Sequence, residues 1–137
     1  MSKIKVALLK ADSYKPELLK EKILKLLELI DFDIPVEKKI TLVNPNLLSA
    51  KEPERAITTH PNVARTVVDI FSNNTGKLYV GDSPGGADRG VMRVWRNTGL
   101  LDVLKDSNSE LYSFEGNPVA TVNFNGSEFH ISDIREK

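Results

Sequence analysis

Leu78-Tyr79-Val80-Gly81-Asp82-Ser83-Pro84-Gly85-Gly86 decides how this chain is read. A short apolar run passes straight into three glycines, a carboxylate and a hydroxyl, which is how α/β proteins end a buried strand and open a ligand-facing loop. Val91, Val94, Trp95 and Leu100 follow at helical spacing, the inward side of a helix ending near Gly99. The unit is therefore strand, loop, helix.

Upstream the same unit recurs. Asn73-Asn74-Thr75-Gly76 stops a helix whose buried face is Val63, Val67, Val68, Ile70 and Phe71, and which opens at Thr58-Thr59-His60-Pro61. Before it, Lys39-Ile40-Thr41-Leu42-Val43 reads as a strand ended by Asn44-Pro45-Asn46, where proline forces an extended residue. Leu18, Leu19, Ile23, Leu26, Leu27 and Ile30 predict an amphipathic helix from Pro16, and Ile4-Lys5-Val6-Ala7-Leu8-Leu9 predicts a first buried strand. Downstream, Glu110-Leu111-Tyr112-Ser113-Phe114 is a further strand. Two alternating runs around Asn125-Gly126 then predict a two-residue hairpin. The expectation is an α/β fold: a mostly parallel, Rossmann-like sheet flanked by helices, with a C-terminal antiparallel β-hairpin extending it. At 137 residues the chain is expected to form a single domain over 1–137.

Composition narrows the function classes. Nineteen basic and nineteen acidic residues cancel, so no global field draws nucleic acid or an anionic membrane, and neither is expected as a partner. Without cysteine there is no thiolate nucleophile, thiolate zinc site or iron–sulfur cluster from this chain, and two histidines far apart in sequence argue against a metal site. No apolar run approaches the roughly 20 residues that span a bilayer, and the N-terminus lacks a signal-peptide pattern. A cytoplasmic protein is the expectation.

If the strands are parallel, the loops at 10–14, 44–60 and 81–89 share one sheet edge, the carboxyl edge where α/β proteins bind ligands near a switch in strand order. Gly81, Gly85 and Gly86 would let backbone amides approach a ligand, Ser83 would donate to it, and the next helix would aim its positive end at an anion. Asn46, Thr59 and Arg89 are the further ligand-binding candidates. The blander use of the same residues is a turn, with Asp82 or Ser83 capping a helix and the asparagines holding a loop together. Neither Walker A nor Gly-x-Gly-x-x-Gly is present, and Pro84 spoils a serine nucleophile elbow. For catalysis the candidates are His60, whose pKa a helix start would lower, and Asp82, which could position substrate or metal. His130 reads as a surface residue of the hairpin.

Asn44-Pro45-Asn46-Leu47-Leu48, Thr58-Thr59-His60-Pro61 and Gly81-Asp82-Ser83-Pro84-Gly85-Gly86, in this order, resemble the family catalogued as domain of unknown function 362. The likeness covers residues 3–114, including Trp95 and Thr98-Gly99-Leu100. Family members usually have Lys-Pro-Asn where this chain has Asn44-Pro45-Asn46, and they often carry a cysteine-rich, ferredoxin-like segment and a second half. The resemblance thus implies either a free-standing short relative with altered function or the N-terminal half of a longer architecture, in both cases without a cluster from this chain and without one lysine. It implies no particular activity, and the cofactor stays unknown.

Three functional expectations follow. The first is binding of a small anionic molecule, a phosphate or carboxylate, through the loop at 81–86. The second is an enzyme with His60 as general base and Asp82 positioning substrate or metal. The third is a partner-binding or self-associating module, a homo-oligomer formed through the C-terminal hairpin or an uncovered sheet edge.

Overall fold

The computed structural model describes residues 4–33, 36–83, 90–114 and 120–131. Helix α1 spans Pro16–Leu29 and opens with proline in its first turn, where a missing N–H costs nothing. It closes on Asp31 at φ 51°, with the Asp31 and Phe32 amides donating to Glu28 and Leu27 carbonyls, so an aspartate occupies the left-handed position usually given to glycine. Strand β1 (Ile40–Val43), helix α2 (Pro61–Phe71) and strand β2 (Lys77–Val80) come next. Helix α3 (Val91–Asn97) is followed by α4 (Leu100–Leu104), and strand β3 (Glu110–Leu111) completes the main sheet. The single helix expected here is two, because Gly99 sits at φ 75° and turns the chain between them.

The sheet runs β1-β2-β3, all parallel, with Ile40 opposite Lys77, Val43 opposite Val80 and Val80 opposite Leu111. The ladder continues one step into the loops, where Gly81 N–H donates to the Val43 carbonyl and Tyr112 N–H to that of Val80. Leu78 and Val80 point to the helix side, and there they join Ala64 and Val68 of α2, Val94 and Trp95 of α3, and Leu100 and Leu104 of α4. Burying each large aliphatic in this cluster stabilises the fold by roughly 1.5–3 kcal/mol. Tyr79 points to the other face and meets Tyr112 edge-on, with Phe114 beyond it. Helices and a parallel sheet make this an α/β fold.

Two expectations are corrected. Residues 4–9 form no strand: no backbone hydrogen bond joins them to another described residue, and Ile4, Val6 and Leu8 are 92%, 88% and 92% exposed. Strand-forming composition does not make a strand without a neighbouring ladder to satisfy its N–H and C=O groups. The second concerns the C-terminal pair. Strands β4 (Ala120–Phe124) and β5 (Ser127–Ile131) pair with each other around Asn125 and Gly126, both at positive φ as a primed turn requires, but as a separate two-stranded sheet that does not extend the parallel one.

Candidate functional site

The carboxyl ends of β1 and β2 lie side by side, and the loops leaving them are bolted together. Asp82 is the bolt. Its Oδ2 accepts from the Leu47 amide at 2.9 Å and its Oδ1 from the Asn44 side chain at 3.1 Å, while the same Asn44 amide also donates to the Gly81 carbonyl at 2.7 Å. The aspartate expected to position a substrate or metal therefore spends both oxygens on its own loops. A lysine in place of Asn44 would offer a charge here, but an asparagine offers a short two-donor clamp.

Gly81 is required by packing. A Cβ on it would sit 2.1 Å from the Tyr112 carbonyl oxygen, so no other residue fits while β3 keeps its register. Its part in the site is to let two backbones meet. Ser83 is exposed at the loop's described end, and Gly85, Gly86 and Arg89 lie outside the described residues. Helix α3 begins at Val91, five positions beyond Gly86, and has seven residues. Strand order does not reverse among the described strands, since β1, β2 and β3 follow in sequence.

The longer loop after β1 closes on itself. Asn46 N–H donates to Thr59 Oγ1 at 2.9 Å, Thr59 N–H returns to the Asn46 carbonyl at 2.8 Å, and the Asn46 side chain reaches the Ile57 carbonyl at 3.4 Å. Thr58 Oγ1 is buried with no hydrogen-bond partner among the described residues, so neither threonine caps α2. His60 does. Its Nδ1 accepts from the Asn62 amide at 3.2 Å, satisfying one of the helix's free N–H groups. That bond favours the neutral ring with its proton on Nε2, which leaves Nε2–H as the ring's donor. Burial holds the His60 pKa below the ordinary histidine value, against a smaller opposite pull from the Glu54 carboxylate.

Tyr14 completes the group. Its ring lies flat on His60, centroids 3.8 Å apart and planes within 1°, and its carbonyl accepts from the Asn62 side chain at 3.0 Å. The sequence put the loop at 10–14 on this edge, yet nothing in the spacing singled out Tyr14; an aromatic beside the entry to a helix was the only signal. Asn62 likewise passed as an ordinary first-turn residue, and Leu47 enters through a backbone amide that no pattern marks.

A groove of about 470 Å³ lies between β1 and α2, lined by Leu42, Val43, Val63, Val67, Phe71 and Phe32 with Asn44, Pro45 and Thr59 at one end. Neither His60 nor Asp82 lines it, so the two catalytic candidates do not share this cavity. Among the described residues no group of three or more His, Asp or Glu side chains could hold a metal ion, and no helix is long and apolar enough to cross a membrane.

Comparison with known proteins agrees with the order of motifs. No solved structure matches the chain. The thylakoid-associated protein sll1697 of Synechocystis sp. is 33% identical over 121 residues, which cover 85% of this chain and 36% of that protein. The chain thus spans about a third of the relative it matches. The family described as Domain of unknown function (DUF362) matches residues 41–136, a span that begins at β1 and takes in the bolted loops, His60 and the hairpin. This chain belongs to the DUF362 family of domains of unknown function.

Proposed function

We propose that the chain is a binding domain that holds a small anionic molecule, a phosphate or carboxylate, at the carboxyl edge of its sheet. The observation that carries this reading is the His60 hydrogen bond to the Asn62 amide. It commits Nδ1 as an acceptor and leaves Nε2–H as a donor on a ring held by Tyr14, a group suited to an anion's oxygen. The same bond disfavours His60 as a general base, because the lone pair a base needs is already occupied. Asp82 contributes by fixing the start of the loop, and Ser83, Gly85, Gly86 and Arg89 are the proposed ligand-binding residues beyond it. Asn46 and Thr59 shape the floor by their mutual hydrogen bonds. The proposed setting is the cytoplasm, as one α/β domain corresponding to part of a longer family architecture.

Isothermal titration with inorganic phosphate and with small dicarboxylates tests the proposal. His60→Asn keeps a capping acceptor but is too short to place a donor where Nε2–H lies, and Gly85→Val adds a branched side chain to the 81–86 stretch. Each should weaken binding about ten-fold or more, the effect of losing one good hydrogen bond to a charged group. Absence of binding by every anion, or binding indifferent to both substitutions, rejects the reading.

A further inference from the structure

Two features of this molecule fit each other, and among the described residues each is without a backbone strand partner on one side. One is the run at 4–9, whose alternate residues Ile4, Val6 and Leu8 are apolar and about nine-tenths exposed, and whose backbone makes no hydrogen bond to other described residues' backbone. The other is the outer edge of β1, which ends the described parallel sheet and borders the groove of about 470 Å³ against α2. No charged side chain lines that groove. Thr41 and Val43 share the helix side of the sheet with Leu78 and Val80, so a strand added outside β1 would send every second side chain down toward Val63, Val67 and Phe71. An Ile-x-Val-x-Leu row has that period.

The run does not fill its own groove. Lys5 pairs with Asp31 at the end of α1, and further along the chain Tyr14 is held by the Asn62 side chain and the His60 ring. Ile4, Val6 and Leu8 are exposed, and none of residues 4–9 lines the groove. We propose that the run is an exchange strand: residues 4–9 of one copy add in parallel to β1 of a second copy, with Ile4, Val6 and Leu8 in the partner's groove, and the exchange is reciprocal. Such an exchange closes with two-fold symmetry and covers both exposed rows and both open edges at once. The occupant is the chain itself, since its own run supplies the period, the polarity and the unpaired backbone that the edge requires.

The absence of cysteine from the chain makes the test clean. Single variants Val6→Cys and Thr41→Cys are mixed and oxidised gently; adjacent strands bring Cα atoms within disulfide range. The expected product is a mixed dimer linked through positions 6 and 41, identified by peptide mass. Sedimentation over a wide concentration range should show a monomer–dimer equilibrium, weakened about ten-fold or more by Val6→Asp. That variant should fold as the parent does, because Val6 is exposed in the single copy. A monomer at every concentration overturns the proposal, as does an oxidised mixture without the mixed dimer. A double variant that forms only an intramolecular disulfide overturns it too, by showing that the run closes on its own groove.

Discussion

Residues 78–80 and residues 4–9 are both short runs of strand-forming composition, yet the first is buried and the second mostly exposed. Leu78 is 4% exposed and Leu8 92%. Their side chains are the same, so the difference lies in their neighbours: Leu78 has β1 on one side, β3 on the other and three helices above it. Residues 4–9 have none of these. Strand propensity expresses itself only where a ladder exists to receive it, and the two runs measure that statement within one chain.

The largest effect should come where the buried run meets its neighbour most closely. Gly81→Ala drives a Cβ into the Tyr112 carbonyl oxygen, so β3 must shift or detach, and a loss of about 3 kcal/mol or more is expected in urea unfolding. A loss under about 1 kcal/mol would mean that the β2–β3 contact yields easily, and that the buried run is less fixed than its burial suggests.

Next comes the matched pair. Leu78→Ala should cost about 2–5 kcal/mol, whereas Leu8→Ala in dilute protein should stay within about 0.5 kcal/mol. Equal costs would break the comparison outright. A cost for Leu8→Ala that appears only as protein concentration rises would sharpen it, because the exposed run would then find its ladder in another copy.

The bolt between the loops ranks third. Asp82→Ala leaves the Leu47 amide without its acceptor and the Asn44 side chain with only the Gly81 carbonyl, for an expected loss of about 1–3 kcal/mol. Amide exchange at Leu47 should accelerate with it. Unchanged exchange there would show that the Asn44 bond to the Gly81 carbonyl is enough to hold the two loops.

These contrasts also show what the sequence discloses. The helices α1 and α2 were legible because their apolar residues repeat at three and four and their first turns carry proline. The turn at Asn125 and Gly126 was legible because few residue pairs tolerate two positive φ values. The strand at 4–9 was misread because composition reports a side chain's preference, not the presence of a partner ladder. In the site, residue types drew attention to Asp82 and His60 but not to their bonds. Asp82 could be a ligand or a brace until the positions of Leu47 and Asn44 were known, and His60 could be base, ligand or cap until Asn62 N–H was seen to point at Nδ1. Such assignments depend on contacts between residues far apart in sequence, which no local pattern encodes.

The smallest expected effect sets the edge of the buried region against pH. Burial lowers the His60 pKa in the folded protein, so the unfolded chain, with histidine near its ordinary value of about 6.5, takes up the proton first as pH falls. The stability this group supports is complete above that value, declines as pH drops through it, and levels off below the folded pKa. Protonation also turns Nδ1 from acceptor to donor, so the Asn62 amide loses its cap and the Tyr14 stack its neutral partner. His60→Asn keeps an acceptor for the helix start but cannot titrate. Urea midpoints followed across the acid side of neutrality should fall for the parent and stay comparatively flat for the variant. His130 lies in the separate hairpin and serves as the internal control: His130→Asn should retain the parent's slope. If the slope vanishes with His130 and survives the loss of His60, then the ring against Tyr14 is more open to water than its burial implies, and the firm packing around residues 78–80 does not extend to the start of α2.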